Sequence, residues 1–186
     1  DLDTRPPAMT AAETGHLVVS TLHTNSAAQT IHRIIDAFPA RQHEQVRDQL
    51  SSVLQGIVSL KLVSRRDGGG LTAAVEILRT TPRIARLIAE GNITEIEVEM
   101  EKSVTFFKMQ SMNQSLMALV LNGVVDRGVA QSASQKPDDF EREMRKVLYA
   151  SETEGAGGFD MADSQADFSR ITELQEIKRL YDDLQG

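Results

Sequence analysis

Thr10–Thr24 reads TAAETGHLVVSTLHT, and this stretch decides the fold class. From His16 it continues as a short apolar run that ends in β-branched residues. A short run that is apolar on both faces is typical of a buried strand in a parallel sheet, so we predict a strand over residues 16–22. A polar cluster closes the run and comprises Ser20, Thr21, His23 and Thr24. The stretch therefore predicts an α/β fold.

The end of this predicted strand is also a place where a ligand could bind. In open α/β sheets, ligands bind beyond the carboxyl ends of the strands, and phosphates favour helix N-termini. A helical pattern follows at once, with Thr24 or Asn25 as its expected N-cap. Its apolar face is formed by Ala28, Ile31, Ile34, Ile35 and Phe38. We expect His23 to lie where the strand end meets the helix start, and to hydrogen-bond a terminal phosphate there.

The composition excludes several classes of protein. The 186 residues carry a formal charge of −7 and show no basic patch, so a nucleic-acid partner is not expected. There is no cysteine, which excludes disulfides and thiolate metal sites. His16 and His23 are seven positions apart, a spacing that places them on opposite faces of an extended strand, so we expect no metal site. No apolar run approaches the ~20 residues of a membrane span.

Apolar periodicity predicts two helices and a hairpin further along the chain. Helices are expected over residues 42–56 and 137–149. Apolar runs at 57–65 and 71–78 flank Asp67 and three glycines, a pattern that predicts a β-hairpin. The glycines fit a turn and not a phosphate-binding loop, because no GxxxxGK[ST] string occurs in the chain.

The segment from Thr81 onward is predicted to be mostly helical. Pro82 begins a helix that ends before Gly91. Residues 95–101 fit two patterns, because four glutamates alternate as in a strand while a longer stripe has helical spacing. That stripe comprises Ile93, Ile96, Met100, Val104 and Phe107. The longer pattern favours a helix, and a further helix is expected from Met109 to a break at Gly123.

The last part of the sequence differs in composition. Residues 151–167 are rich in glycine and acidic residues, which indicates a flexible linker. Residues 168–186 carry an apolar face of helical spacing and predict an amphipathic terminal helix.

Thr10 to Asp36, followed by Phe38 and Pro39, closely resembles the histidine-box region of the type IV pilus retraction ATPases, which belong to the secretion ATPase superfamily. The resemblance rests on four short strings and the spacing between them, namely TGHLV, TLHT, RIID and FP. Asp1–Thr4 is similar to the tail of that family's Walker B stretch. Thr81–Glu90 resembles its retraction motif, and Met109–Ser111 resembles a later Met-Gln element.

This resemblance implies a fold and a domain organisation. Residues 1–79 would be the C-terminal portion of a RecA-like P-loop ATPase core, and 80–150 a mostly helical C-terminal region. The linker at 151–167 and the terminal helix at 168–186 have no counterpart that the resemblance assigns.

The resemblance also implies a function for the intact protein. It would be a hexameric motor that couples ATP hydrolysis, with Mg²⁺, to type IV pilus retraction and so to twitching motility. Such a motor works in the cytoplasm at the inner membrane. Its partners would be further copies of itself, the inner-membrane platform protein of the pilus and a paralogous pilus ATPase.

The same resemblance implies roles for individual residues. His23 would be the histidine-box residue near the γ-phosphate and His16 its second histidine, and both are our candidate catalytic residues. Thr21 and Thr24 are candidate nucleotide contacts. The retraction motif would include Ile84, Leu87, Ile88 and Glu90.

The Walker A loop and the Walker B glutamate are absent from the chain. We therefore expect the 186 residues alone to be inactive and to hold no cofactor. Two alternatives stay open, namely a non-catalytic interaction module and a pilus assembly or type II secretion ATPase of the same superfamily. The sequence at Thr81–Glu90 favours retraction over assembly.

Overall fold

A computed structural model of the chain describes residues 5–155, which contain helices and one β-hairpin. The elements in chain order are α1 (Arg5–Glu13), α2 (Ala27–Ile35), α3 (His43–Val53), β1 (Gly56–Ser64), β2 (Leu71–Arg79), α4 (Pro82–Glu90), α5 (Ile93–Lys102), α6 (Val104–Phe107), α7 (Met112–Leu121), α8 (Arg127–Ala133) and α9 (Pro137–Gly155). A 3₁₀ turn at Ala40–Gln42 leads into α3.

The described residues form two compact units, each with its own apolar core. The first unit comprises residues 5–60 and 75–111, and the second comprises residues 61–74 and 112–155. Fully buried side chains in the core of the first unit include Ile31, Ile84, Leu87, Ile88, Ile96 and Met100. Those in the second unit include Leu116, Leu119, Phe140 and Met144. Only 4% of the residues are aromatic, and aliphatic and methionine side chains fill most of both cores.

The predicted hairpin is confirmed, and its turn shows why glycine is needed there. Gly68 and Gly70 adopt positive φ angles of 72° and 99°, which glycine tolerates best. The carboxylate of Asp67 closes the turn by accepting from the Gly69 N–H at 2.8 Å and pairing with Arg65 at 2.6 Å. These contacts hold the pKa of Asp67 at about 2, chiefly through the hydrogen bond from Arg65. The three glycines therefore shape a turn.

Strand β1 has one inward and one outward face. Ile57 and Ser59 are buried, whereas Val58 and Leu60 between them are exposed. Within residues 5–155, β1 is hydrogen-bonded to β2 alone. The outward side chains of β1 thus leave an apolar surface in contact with solvent.

Helix α4 begins and ends where the sequence predicts. The Thr81 hydroxyl accepts from the Ile84 N–H, and Pro82 occupies the first turn, where its missing N–H costs nothing. Gly91 adopts the left-handed conformation, and the last carbonyls accept from the N–H groups of Gly91 and Asn92 in a Schellman arrangement. The Arg47 guanidinium also donates to the Ala89 carbonyl. Both ends of α4 are therefore fixed.

The ambiguous acidic segment is helical, as the longer pattern predicted. It forms α5, which buries Ile93, Ile96 and Met100. The alternative strand would have needed a pairing partner, whereas the helix buries its stripe against the rest of the first unit.

In the second unit, the last described helix is held by an ion-pair cluster. The Glu141 carboxylate pairs with Arg127 and Arg145, and the hydrogen bond from Arg127 lowers the pKa of Glu141. Helix α9 continues to Gly155, so the segment predicted as a linker begins as helix. The remainder of that segment and the predicted terminal helix at 168–186 lie outside the described residues. The domain boundary expected at 79–80 stays a prediction.

Candidate functional site

The segment that precedes α2 is not a strand, so the prediction for residues 16–22 is wrong. Residues 16–24 have no regular secondary structure, and the side chains of Leu17 and Val19 are 83% and 86% exposed. A strand is stabilised by hydrogen bonds to a neighbouring strand. Among residues 5–155 the only sheet is the β1–β2 hairpin, and this segment does not join it. Its apolar composition alone could not supply the missing partner.

His23 lies in this segment with its side chain exposed to solvent. Within the described part of the chain, no hydrogen bond or ion pair engages its imidazole. Thr21 is also exposed. Both side chains can therefore reach a ligand without first breaking an internal contact.

His16 is anchored to the end of α1. Its Nδ1 lies 3.0 Å from the Thr14 hydroxyl oxygen and 3.3 Å from the Ala11 carbonyl oxygen. The Thr14 hydroxyl itself donates to the Ala11 carbonyl at 2.8 Å. With the Thr14 proton on the Ala11 carbonyl, a protonated Nδ1 is the assignment that satisfies both contacts of His16, because both neighbours offer lone pairs. This assignment leaves Nε2 as the nitrogen that faces other partners.

Thr24 is half-buried, and its hydroxyl is 2.7 Å from that of Thr30. Thr30 gives its one proton to the Ser26 carbonyl at 2.8 Å, so Thr24 is the donor of the pair. A phosphate is recognised through donors, and the proton of Thr24 is engaged within the protein. The geometry thus gives Thr24 a structural contact, while its role as a nucleotide ligand stays a prediction.

The N-terminus of α2 is closed by side chains. Its N-cap is Ser26 rather than the predicted Thr24 or Asn25, and the Ser26 Oγ accepts from the Gln29 N–H at 3.2 Å. The Gln29 side chain reaches back to accept from the Asn25 N–H at 2.7 Å, which resembles a capping box shifted by one residue. Thr24 and Asn25 were eligible caps by residue type, but only Ser26 places its hydroxyl over the first turn.

A buried carboxylate completes this cap. The Glu76 Oε1 accepts from the Ala27 N–H at 2.6 Å, and Glu76 is only 6% exposed. Two N–H groups at the start of α2 are therefore already bonded, which disfavours the expected binding of a phosphate at this helix end. Any phosphate recognised here would depend on the side chains of the preceding segment.

Sequence reasoning did not identify Glu76, although one signal was available. Alternation along β2 places residues 74, 76 and 78 on the inward face, where Ala74 and Leu78 are buried. A single acidic residue between two apolar ones on a buried strand face needs a hydrogen-bond donor. The identity of that donor, a backbone N–H at a distance of 49 residues, could not be read from the sequence.

Helix α4 carries the residues assigned to the retraction motif, and it presents two different faces. Ile84, Leu87 and Ile88 are at most 1% exposed and belong to the core. Glu90 is exposed, and its carboxylate accepts from the Asn92 side chain at 3.3 Å. Only the polar face of the motif, which also holds Arg83 and Arg86, is accessible to another molecule.

Comparison with known proteins identifies the family to which this chain belongs. The family model described as type II/IV secretion system protein matches residues 1–154. The chain belongs to this family. The resemblance seen in the sequence is thereby confirmed.

Curated members of the type II/IV secretion system family include close relatives of this chain. The type IV pilus retraction ATPase PilT of Pseudomonas aeruginosa is 41% identical over 140 residues, which are 75% of this chain and 40% of that protein. A twitching motility protein of Neisseria gonorrhoeae is 42% identical over 140 residues, 75% of this chain and 37% of its own length. The chain thus spans about two fifths of the length of these relatives.

A solved member of the family shows the same fold. A crystal structure of the pilus retraction motor PilT with bound ADP matches with a TM-score of 0.68 and 44% identity, over 76% of this chain and 39% of that one. The ATPase DotB of Legionella pneumophila matches with a TM-score of 0.59 and 26% identity, over 70% of this chain and 35% of that one. The predicted fold class, an α/β part of a RecA-like ATPase with a mostly helical region, is confirmed.

Candidate metal sites and membrane-spanning helices are both absent from residues 5–155. Residues 5–155 contain no group of three or more His, Cys, Asp and Glu side chains that could hold a metal ion. Over the same residues, no helix combines the length and the hydropathy needed to cross a bilayer.

Proposed function

We propose that this chain is part of a hexameric ATPase motor that couples ATP hydrolysis to the retraction of type IV pili. The observation that carries the proposal is the identity of 41% to a pilus retraction ATPase over three quarters of the chain. The family model spans residues 1–154 and therefore includes residues 16–24, the hairpin and α4. The intact motor would work in the cytoplasm at the inner membrane, against the pilus platform protein and beside a paralogous ATPase.

In this proposal His23 recognises the γ-phosphate of ATP. Its imidazole is exposed and has no internal partner among residues 5–155, as a ligand-sensing group requires. Thr21, exposed two residues earlier, would donate a second hydrogen bond. His16 and Thr24 support this segment from its two ends through their contacts to α1 and α2.

The proposal assigns no Mg²⁺ ligand to this chain, because its described residues form no cluster suited to a metal. ATP would be held mainly by a phosphate loop, and no GxxxxGK[ST] string occurs in the 186 residues. We therefore expect the purified 186-residue chain to be inactive. Measurable ATP turnover by that chain would contradict this part of the proposal.

The function is tested by deleting the coding region in the source bacterium and imaging labelled pili. If the protein retracts pili, the mutant should keep its pili but fail to withdraw them, and cells should cease to twitch. Cells without pili would instead identify an assembly ATPase. Normal retraction would contradict the proposal and favour an interaction module.

The role of His23 is tested by complementing that deletion with variants. His23→Ala should fail to restore retraction, and ATP hydrolysis by the variant should fall. His32→Ala is the matched control, because His32 is an exposed histidine on α2. Equal retraction by both variants would show that His23 is not a sensor.

A further inference from the structure

The carboxylate of Glu76 is buried in the first unit and hydrogen-bonds the start of α2. It belongs to β2 and is nearly inaccessible to solvent. It accepts a short hydrogen bond of 2.6 Å from the N–H of Ala27, which is itself fully buried. A buried carboxylate is costly unless it is hydrogen-bonded, so this contact stabilises the buried position of Glu76.

The position of the contact makes it specific. Ala27 is the first residue of α2, where unpaired N–H groups and the helix dipole attract negative charge. Glu76 thus occupies the position that an anionic ligand would otherwise take. It ties the start of α2 to a strand that lies 49 residues further along the chain.

A short series of hydrogen bonds connects the start of α2 to residues 16–24, the segment that carries His16 and His23. The Ser26 carbonyl accepts from the Thr30 hydroxyl at 2.8 Å, and that hydroxyl accepts from Thr24 at 2.7 Å. Thr24 directly follows His23 in the chain. The start of α2, which Glu76 fixes, is therefore bonded to the residue next to the proposed sensor.

We propose that Glu76 is a positioning residue for His23. Its carboxylate fixes the first turn of α2, and through Thr30 and Thr24 it restricts where the imidazole of His23 can lie. This inference rests on the proposed function, since positioning matters only if His23 contacts a γ-phosphate. In this role Glu76 acts through α2 and not by direct contact with the nucleotide.

The link is tested first in the 186-residue chain by NMR of the Ala27 amide. With Glu76 ionised, this amide proton should resonate downfield and exchange slowly. Glu76→Gln keeps an oxygen acceptor but removes the charge, so the resonance should move upfield and exchange should become faster. Glu95→Gln, the same change at an exposed position of α5, should leave Ala27 unchanged. An Ala27 amide that is indifferent to Glu76→Gln would overturn the inference.

The positioning role is tested in the complete ATPase by enzyme kinetics. Glu76→Gln should lower kcat for ATP by about tenfold, in the manner of other residues that orient a ligand group. ADP affinity should be unchanged, because ADP lacks the phosphate that His23 would contact. The double variant Glu76→Gln with His23→Ala should be no slower than His23→Ala alone.

Other outcomes separate the two proposals. Additive losses in the double variant, or weakened ADP binding, would show that Glu76 has only a structural role and would overturn the inference. If the complete wild-type protein does not hydrolyse ATP, the proposed function fails and the inference fails with it. If it hydrolyses ATP and Glu76→Gln is as active as wild type, only the inference fails.

Discussion

At the scale of single residues, two carboxylates differ in how far along the chain their hydrogen-bond donors lie. Asp67 is satisfied within its own turn, by the side chain of Arg65 and the N–H of Gly69. Glu76 is satisfied at a distance, by the N–H of Ala27. A local partner of this kind can be anticipated from sequence, whereas a distant one depends on the fold.

The Asp67 contact predicts a pH dependence. The pKa of Asp67 is about 2 in the folded chain, compared with an ordinary value of 3.8. Because the folded pKa is the lower one, the contribution of Asp67 to stability is present above pH 4 and is lost as the pH falls towards 2. NMR titration should give a midpoint near 2 for this carboxyl.

Removing Arg65 should change that midpoint. In Arg65→Gln the pKa of Asp67 should rise towards 3.8, since the largest stabilising hydrogen bond is gone. Arg66→Gln is the control, because Arg66 pairs with Asp126 instead. An unchanged midpoint in Arg65→Gln would contradict the assignment of the cause.

At the scale of elements, a helix or strand could be predicted correctly when the residues that determine it lie within its own stretch of sequence. Helix α4 has its cap, its proline and its terminal glycine within one continuous stretch, Thr81–Gly91, and its bounds were predicted correctly. The segment at 16–22 has the composition of a strand, but strand formation depends on a partner that its own sequence cannot provide. Helix α8 was not anticipated because its small residues, RGVAQSA, give almost no apolar periodicity.

The two faces of α4 should respond differently to mutation. Ile88 is fully buried, so Ile88→Ala should reduce the free energy of unfolding by about 2–5 kcal/mol. Arg86 is exposed, and Arg86→Ala should change that free energy by no more than about 0.5 kcal/mol. Urea denaturation measures both values. A mild effect at Ile88 would mean that the core of the first unit is not packed as described.

At the scale of the whole molecule, family membership and fold class could be recognised from one long motif and its spacing. The division into two units could not, because it depends on which distant segments pack together. The roles of the candidate site residues stay predictions. His16 and His23 lie on an exposed segment as a ligand-binding role requires, but the supporting bonds from Thr30 and Glu76 were not foreseen.

The outward face of β1 should limit the solubility of the chain. Val58 and Leu60 are 70% and 59% exposed on a strand that pairs on one side only within residues 5–155. Apolar edge strands of this kind associate readily. Leu60→Lys should therefore reduce association, measured by light scattering at increasing concentration, without lowering the unfolding midpoint.

The opposite face of the same strand supplies the control. Ile57 is buried in the core of the first unit, so Ile57→Lys should unfold the protein rather than improve its solubility. If Leu60→Lys associates as strongly as wild type, β1 is not the surface through which copies meet.

The bond between Glu76 and Ala27 also bears on the order in which the chain folds. A helix of nine residues, such as α2, is too short to persist alone in water. Its first turn is completed by a residue 49 positions later, and closing a loop of that length costs about 3 kcal/mol of chain entropy. The start of α2 therefore becomes stable only after β2 has been made and has docked. During synthesis on the ribosome, the segment that carries His16 and His23 leaves the exit tunnel before Glu76 has been made. The hydrogen bond that fixes the adjoining start of α2 can therefore form only later.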